Sequence, residues 1–331
     1  MKQINWGIIG CGDVTEKKSG PAFNKIEGSK LVAVMRRDAS KAEDYARRHQ
    51  VPRWYSDADK LIHDPEVNAV YVATPPQSHS IYAIQAMEAG KPVYVEKPMA
   101  LNYAECLEMN EVSRKTGIPL YVAYYRRGLP YFLKVKELVD AGMIGKPVTV
   151  NMQLLHPVQK QDREPGNLPW RLNPGIAGAG YFYDMACHEL DILDFILGPV
   201  QDAKGFASNI AGLYAAEDTV SATLHFESGL TGSGNWSFVV PEKNKKDVVE
   251  IQGTDGRIVF SCFGFTPILL DKKGEVQQFK PDNPENIQYW MIRSVVEDLQ
   301  GKGKCSSNGE TGARTNLVMD LILGKTQLKQ K

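Results

Sequence analysis

The chain contains 331 residues, of which 39 are basic, 39 are acidic and 43% are hydrophobic. That length exceeds the usual size of a single hydrophobic core, so we expect a globular protein with two domains. The balanced charge argues against nucleic acid or an anionic membrane as the main partner. The longest uncharged run, residues 67–87, contains two prolines and a histidine and therefore does not predict a membrane helix.

The first residues lack the basic and then apolar pattern of a signal peptide. Five cysteines are scattered along the chain, without the CxxC spacing of a metal or redox motif. We therefore expect reduced thiols, no bound metal and a cytoplasmic location.

Short apolar runs alternate with amphipathic segments through the first third of the chain. The runs are INWGIIG, KLVAVMR, AVYVAT, PVYVEK and PLYVAY, and segments such as HSIYAIQAMEAG between them have apolar residues at helical spacing. Near-continuous apolar strands that alternate with helices predict a parallel, doubly wound sheet with helices on both faces. We expect a Rossmann-type dinucleotide-binding domain over residues 1–123.

The pattern changes after about residue 125. The strand-like runs become longer and alternate, and turns such as ESGL, GTDG and DKKGE connect them. This pattern predicts a large, open, mainly antiparallel sheet. Helices expected at 131–141, 184–196 and 286–299 would cover one face. Residues 124–331 are therefore predicted to form an α+β domain that binds substrate and, through the other, apolar face of the sheet, forms a homodimer or homotetramer.

The segment WGIIGCGDV ends the first predicted strand with Gly10 and Gly12. Glycine lets the backbone turn tightly and approach a pyrophosphate, which amides at the start of the next helix would bind. A structural turn is the alternative, and Thr15 stands where a third glycine is usual. The position at the first strand–helix junction favours a dinucleotide site, formed by Gly10, Cys11, Gly12, Asp13 and Val14.

The second predicted strand ends in Arg36 and Arg37, with Asp38 beyond them. NAD-binding domains usually place an acid at this strand end for the ribose 2′-hydroxyl, whereas guanidinium groups suit a 2′-phosphate. A solvated basic turn is the alternative. The arginine pair favours NADP(H) over NAD(H) as the cofactor.

Four segments together resemble the Gfo/Idh/MocA family of oxidoreductases, which includes glucose–fructose oxidoreductase, inositol dehydrogenase and 1,5-anhydrofructose reductase. They are GIIGCGDV, YVATPPQSH, EKPMA and GAGYFYDMACHELDIL, in the family's order, and the similarity spans the chain. The resemblance implies that Lys97 and His188 flank the reacting C–O group beside the nicotinamide, with Asp184 in support. It also implies that Pro98 follows a cis peptide bond, as is frequent in the family.

The chemistry of these residues agrees with the implied roles. Spacing of four on a helix would put Asp184 and His188 on one face. Histidine titrates near neutral pH and suits proton exchange with an alcohol, and a lysine ammonium can stabilise charge on the oxygen. Glu96 would orient Lys97 or bind the nicotinamide ribose. A helix-surface pair is the alternative for Asp184 and His188, and the sequence leaves open which of Lys97 and His188 moves the proton.

The loop ATPPQSH supplies Thr74, Pro75 and His79, and in the family this loop passes the nicotinamide side of the cofactor. A structural histidine is the alternative for His79. The segments AYYRRGLPYF and LPWRLNPG provide aromatic rings and cations that could receive a sugar ring and its hydroxyls. The predicted substrate contacts are Tyr125, Arg126, Trp170 and Arg171, together with Lys97, Asp184 and His188.

These observations predict an NAD(P)-dependent oxidoreductase that interconverts a hydroxyl and a carbonyl on a sugar, a polyol or a related small carbohydrate. The family resemblance leaves two alternatives. One is a non-catalytic dinucleotide-binding sensor or co-regulator, against which the presence of Lys97, Asp184 and His188 argues. The other is a glycoside hydrolase that uses bound NAD, which the arginine pair disfavours.

Overall fold

The structure, a computed structural model, describes residues 3–327. Contacts divide the chain into two compact units, Met1–Leu129 with Asn283–Ala313 and Pro130–Asp282 with Arg314–Lys331. The predicted boundary after residue 123 lies close to the first division. The return of residues 283–313 to the first unit differs from the predicted domains. Between residues 3 and 327, no helix combines the length and the apolar character needed to span a bilayer.

The first unit contains a parallel sheet of six strands in the order β3-β2-β1-β4-β5-β6. Strands β1, β4 and β5 are almost entirely buried because helices cover both faces. The strands are β1 (Ile4–Ile9), β2 (Ser29–Met35), β3 (Arg53–Tyr55), β4 (Ala69–Val72), β5 (Val93–Val95) and β6 (Leu120–Val122). The helices are α1 (Asp13–Lys17), α2 (Gly20–Phe23), α3 (Ala39–Arg48), α4 (Ala58–Ile62), α5 (His79–Glu88) and α6 (Tyr103–Thr116).

Five of these strands were predicted, and β3 was not. It is a three-residue edge strand, Arg-Trp-Tyr, in which no residue is fully buried, so it lacks the apolar run that marks the other strands. β1 lies between β2 and β4. Strands β2 and β3 are added on one side of β1, and strands β4, β5 and β6 are then added on the other side. Ligands of such sheets bind at this reversal point, outside the carboxyl ends of the strands. The loops after β1, β2, β4 and β5 all lie at this carboxyl end of the parallel strands.

The second unit contains a sheet of eight strands in the order β14-β13-β12-β11-β7-β10-β9-β8. The pair β7 and β10 is parallel and the other pairs are antiparallel. The helices are α7 (Pro130–Asp140), α8 (Pro174–Ala177) and α9 (Cys187–Leu197). The strands are β7 (Pro147–Leu155), β8 (Val200–Ser208), β9 (Thr219–Phe226), β10 (Thr231–Ser237), β11 (Lys246–Gly253), β12 (Gly256–Phe260), β13 (Ile268–Lys272) and β14 (Glu275–Phe279).

Helices α7 and α9 pack on one face of this sheet. The ring of Phe132 in α7 contacts Phe260 of β12, and Trp236 of β10 donates to Glu189 of α9. The other face is exposed and mainly polar, which corrects the expectation of an apolar second face. Its side chains form hydrogen-bonded cross-strand pairs such as Ser221 with Asn235.

Two helices close the chain, α10 (Tyr289–Leu299) and α11 (Gly309–Ile322). α10 was expected to cover the second sheet, and this was wrong, because the helix belongs to the first unit. It packs against the turn after β6, where a Cβ on Gly128 would come within 3.2 Å of the backbone of Met291. The apolar stripe of α10 predicts burial but does not identify the surface that buries it. The division between units falls within α11.

Candidate functional site

Gly10 brings the loop after β1 close to the loop after β4. Its φ of +93° favours glycine, and a Cβ there would lie 2.8 Å from the backbone nitrogen of Thr74. The amides of Gly10 and Cys11 both donate to the carbonyl of Met35 at the end of β2, at 2.9 and 3.1 Å. The glycine turn is therefore fixed against both neighbouring strands.

Thr15 explains why this loop has no third glycine. The amide of Gly12 donates to the Thr15 hydroxyl at 3.0 Å, and that hydroxyl donates back to the Gly12 carbonyl at 2.8 Å. Close helix packing is provided instead by Gly20 at the start of α2. A Cβ on Gly20 would clash with the carbonyl oxygen of Thr15 and lie 2.5 Å from the hydroxyl of Tyr45.

The space in front of Gly12 fits an anionic group. The nearest atom to a Cβ built there would be the carbonyl oxygen of Gly10, at 3.8 Å. Helix α1 begins at the next residue, and the first amides of a helix have no acceptor within it. A dinucleotide pyrophosphate fits this combination of open space and amide donors. Of the five loop residues predicted to hold it, Asp13 and Val14 would offer the first amides of α1. The amides of Gly10, Cys11 and Gly12 already donate within the protein, so these residues would contribute the close approach of the backbone.

Arg36 and Arg37 have different surroundings. Nη1 of Arg36 donates to the carbonyl of Cys11 at 3.3 Å, which keeps this guanidinium beside the glycine loop. Arg37 is exposed and lines a concavity of about 290 Å³. The other lining residues include Ser56, Asp57, Asp59, Tyr82 and Gln85.

Asp38 is the N-cap residue of α3. Its carboxylate accepts hydrogen bonds from the Ser40 hydroxyl at 2.7 Å and the Lys41 amide at 3.2 Å. These bonds lower the pKa of Asp38 to about 2. Because the carboxylate is engaged with its own helix, it is less able to accept a hydrogen bond from a ribose hydroxyl.

His79 lies fully buried between two loops of the first unit. Its Nε2 is 2.7 Å from the carbonyl oxygen of Thr74, and its Nδ1 is 3.0 Å from that of Pro98. Burial lowers the pKa of His79. The imidazole therefore links the loops after β4 and β5, while Thr74 and Pro75 are half-buried. A direct contact of His79 with the cofactor stays a prediction.

The carboxylate of Glu96 is the centre of a buried hydrogen-bond network. The Tyr71 hydroxyl donates to Oε1 at 2.5 Å, and the side-chain amide of Gln288 donates to the same oxygen at 2.7 Å. The backbone amide of Lys97 donates to Oε2 at 3.1 Å. Burial and the Glu96 charge raise the pKa of Tyr71 well above its usual value, so this tyrosine remains a donor.

Lys97 is half-buried, between neighbours that are buried on both sides. The Lys97–Pro98 peptide bond is cis, as the family resemblance implied. Only Glu96 separates Lys97 from the end of β5, so Lys97 lies at the carboxyl end of the parallel strands, as the glycine loop does.

In the second unit, Asp184 and His188 lie where two kinds of helix meet. Residues 182–186 form a π-helical turn that leads directly into α9. Asp184 therefore lies in a π turn and not in the α-helix that the sequence predicted; such turns occur often at functional sites. His188 is buried, and its ring lies 6.1 Å from that of Phe263.

The structure brings three predicted residues of the second unit together. Nε of Arg171 lies 3.2 Å from Oδ2 of Asp184, and the Arg171 guanidinium stacks 4.5 Å from the centre of the Trp170 ring. Trp170 is 36% exposed, so its indole remains accessible for stacking. These contacts join Trp170, Arg171 and Asp184 into one cluster.

Tyr125 and Arg126, in the first unit, are far less accessible. Arg126 is 3% exposed, and its guanidinium lies 5.0 Å from the centre of the Tyr125 ring, which is also buried. Their predicted contact with substrate stays a prediction.

Several supporting residues were missed. Tyr71 could have been found, because a tyrosine inside a buried strand needs a partner for its hydroxyl. Gln288 gave no signal, because its partner Glu96 is 192 residues away in sequence. Beside His188, Glu189 is fully buried and accepts a 2.6 Å hydrogen bond from Trp236. Acids interleaved with apolar residues in HELDILD were the available signal for that carboxylate.

The fold and the glycine loop together define a dinucleotide-binding oxidoreductase. A family model described as "Oxidoreductase family, NAD-binding Rossmann fold" matches residues 4–124, and one for the GFO/IDH/MocA C-terminal domain matches residues 132–259. The chain belongs to the Gfo/Idh/MocA family of oxidoreductases, which confirms the resemblance found in the sequence.

Known proteins are similar over nearly the whole chain. An oxidoreductase of Formosa agariphila is 39% identical, over 97% of this chain and 99% of its own. The 1,5-anhydro-D-fructose reductase of Ensifer adhaerens is 27% identical, over 93% of this chain and 91% of its own. A levoglucosan dehydrogenase solved in complex with NADH has a TM-score of 0.88 at 23% identity, over 97% of this chain and 96% of its own. The structural likeness confirms the predicted fold of each domain.

Proposed function

We propose that this oxidoreductase interconverts a hydroxyl and a carbonyl group on a sugar, a polyol or a related small carbohydrate. The observation that carries the proposal is the place of Lys97, one residue beyond the first residue after β5, at the carboxyl end of the strands that also holds the glycine loop. Glu96 and its buried partners anchor the Lys97 backbone there. The relative named 1,5-anhydro-D-fructose reductase supports a carbohydrate substrate.

We assign one chemical role to each of three side chains. A bound nicotinamide supplies or accepts the hydride. As the alcohol carbon loses its hydride, the hydroxyl proton passes to His188, because an imidazole nitrogen can accept a proton as a general base. The Lys97 ammonium is assigned the role of stabilising negative charge that develops on a reacting oxygen. Asp184, in the turn that leads into the helix of His188, is assigned a supporting role in this proton exchange. Reduction of a carbonyl uses the same groups in reverse.

Absorbance at 340 nm with NADP(H) and a panel of sugars and polyols tests the proposal. Once an active substrate is found, Lys97→Ala is expected to lower kcat by at least about 100-fold, because it removes the charge that stabilises the reacting oxygen. Lys60→Ala, which removes an exposed lysine from α4, is the matched control. Turnover at the wild-type rate in Lys97→Ala would contradict the proposed role.

The preferred cofactor is proposed to be NADP(H). Arg36 beside the glycine loop and the exposed Arg37 offer two guanidinium groups at the end of β2. Guanidinium groups bind phosphate with paired hydrogen bonds. The Asp38 carboxylate already accepts two hydrogen bonds at the N-terminus of α3, which makes it a poorer acceptor for an NAD ribose.

We also propose a homodimer or homotetramer that forms through the exposed face of the second sheet. On β8, Phe206 is 88% exposed on this face, an unusual position for an aromatic ring of a monomer. A concavity of about 500 Å³ lies on the same face, lined by polar side chains of β7 to β10. A cytoplasmic location is proposed as well, supported by five buried cysteines that form no disulfide within residues 3–327.

A further inference from the structure

Arg171 contacts both Trp170 and Asp184, within the second unit. Its guanidinium carbon lies 4.5 Å from the centre of the Trp170 ring, and its Nε lies 3.2 Å from Oδ2 of Asp184. Stacking on the indole restricts the plane of the guanidinium, so the N–H group that faces the carboxylate has a defined direction. The Arg171 guanidinium therefore approaches the Asp184 carboxylate from a defined direction.

The segments that carry this ion pair are attached to the same small core. Leu172 packs there with Tyr214 and Ala216, and Tyr181 packs against these residues. Leu172 follows the arginine directly, and Tyr181 is three residues before Asp184. Both residues of the ion pair therefore lie close to packed backbone. The position of the Arg171 side chain can for this reason constrain the position of the Asp184 carboxylate.

Stability does not explain this contact. The side chains of Arg171 and Asp184 are 42% and 26% exposed, and ion pairs at such positions contribute little to the free energy of folding. The position of Asp184 is more informative. It lies in the π turn that leads into α9, and the first turn of that helix carries His188. The ion pair with Arg171 is one contact that restricts the rotamer of this short side chain.

We infer that Arg171 is a positioning residue that acts through Asp184, and not a direct ligand of the substrate. The inference rests on the proposed roles of Asp184 and His188 in turnover. Loss of the arginine removes one contact that restricts the Asp184 carboxylate, so Asp184 is less often in the position that supports His188 and kcat falls. The groups that bind the substrate are unchanged, so KM changes little.

A double-mutant cycle with Arg171→Gln, Asp184→Asn and the double variant tests this inference. The assay measures kcat and KM with NADP(H) and a sugar on which the wild-type enzyme is active. We expect Arg171→Gln to lower kcat by about 10- to 100-fold, as a misplaced catalytic group does. The double variant should match Asp184→Asn within about two-fold, because residues that act as a unit are not additive.

Two further variants separate positioning from loss of charge or of fold. Arg163→Gln removes an exposed arginine from the same loop region and should leave kcat unchanged. Arg171→Lys keeps the charge and should recover part of the kcat that Arg171→Gln loses. Thermal unfolding of every variant checks that the fold is retained.

Each alternative gives a different result. Losses in kcat that multiply in the double variant would overturn the inference, because the two residues would then act independently. A large rise in KM at unchanged kcat in Arg171→Gln would also overturn it, since the arginine would then be a substrate ligand. Wild-type kcat in Asp184→Asn would instead contradict the proposed role of Asp184 itself.

Discussion

The side-chain amide of Gln288 donates a hydrogen bond of 2.7 Å to the carboxylate of Glu96, across 192 residues of sequence. Both side chains are buried, and the hydroxyl of Tyr71 donates to the same carboxylate oxygen. A buried carboxylate is costly unless donors surround it. The segment before α10 therefore contributes to the position of Glu96, and through it to the backbone of Lys97.

Gln288→Ala is expected to lower the free energy of unfolding by about 1–3 kcal/mol, because it removes one donor from a buried charged acceptor. Urea denaturation monitored by tryptophan fluorescence measures the change. Gln278→Ala, on the exposed edge strand β14, is the control and should change stability by less than about 0.5 kcal/mol. Equal stability of the two variants would show that Gln288 does not support Glu96.

The glycine loop and Gln288 illustrate what the sequence could and could not predict. Gly10 and Gly12 follow an apolar strand directly, so their chemistry is readable from neighbouring residues. Gln288 acts on a residue 192 positions away, and pairing of that kind depends on how α10 packs. The same reason explains the wrong expectation for α10, since an apolar stripe predicts burial without identifying its partner.

Asp184 illustrates a second limit. The spacing of four between Asp184 and His188 predicted one α-helix, whereas residues 182–186 form a π turn, and sequence spacing does not distinguish these two kinds of turn. The contact with Arg171 was also unpredictable, because the two residues are separated by a loop and a short helix. Local patterns therefore predicted which residue types matter, whereas their partners depend on tertiary packing.

Gly10 and Gly12 should respond differently to alanine. Gly10→Ala is expected to lower stability by about 1–3 kcal/mol, because its φ is +93° and the new Cβ would press on the backbone of Thr74. At Gly12 the Cβ enters open space, so Gly12→Ala should keep the wild-type Tm without ligand. With NADP(H), Gly12→Ala should lose most of the ligand-induced rise in Tm. A full rise would mean that the cofactor does not approach Gly12.

Arg36→Gln should change the choice of cofactor. Loss of a guanidinium that binds a 2′-phosphate is expected to raise KM for NADPH by at least about 10-fold and to leave KM for NADH nearly unchanged. Steady-state rates with both cofactors measure the two values. Arg47→Gln, at an exposed position in α3, serves as the control. Equal rises in KM for both cofactors would indicate that Arg36 supports the glycine loop through Cys11 and does not bind the 2′-phosphate.

Stability at acid pH should depend on Glu16 in α1. Its carboxylate accepts hydrogen bonds from Arg48 at 2.7 and 2.8 Å and lies 2.7 Å from Nε2 of His49. Mainly through the Arg48 hydrogen bonds, and despite partial burial, these partners lower the pKa of Glu16 from 4.5 to about 2. A depressed carboxyl pKa stabilises the folded state above the unfolded pKa. That stabilisation is lost as the pH falls from about 4.5 toward 2.

Glu16→Gln should therefore lower Tm by about 2 °C at pH 7, and this difference should shrink as the pH approaches 2. Thermal unfolding between pH 2 and pH 7 gives the comparison. Glu43→Gln makes the same charge change at an exposed position in α3 and should follow the wild-type curve. A constant difference between Glu16→Gln and the wild type at every pH would rule out the ionised pair as its cause.

Phe206 on β8 tests the proposed association through the second sheet. It is 88% exposed, and on the exposed face it lies in one row with Ser221, Asn235 and Gln153 of the neighbouring strands. Burial of this ring against a second copy would favour association, and a carboxylate at the same place would oppose it. Sedimentation velocity should therefore show oligomers for the wild type and monomers for Phe206→Glu.

Ile210 provides the matched control for this experiment. It is also a strongly exposed apolar residue, at 71%, but it lies in the loop after β8 and outside the sheet. Ile210→Glu adds the same charge, so it should keep the wild-type sedimentation coefficient if the sheet face forms the contact. Dissociation of both variants would point to a general effect of charge, and dissociation of Ile210→Glu alone would place the contact at the loop and not on the face that carries Phe206.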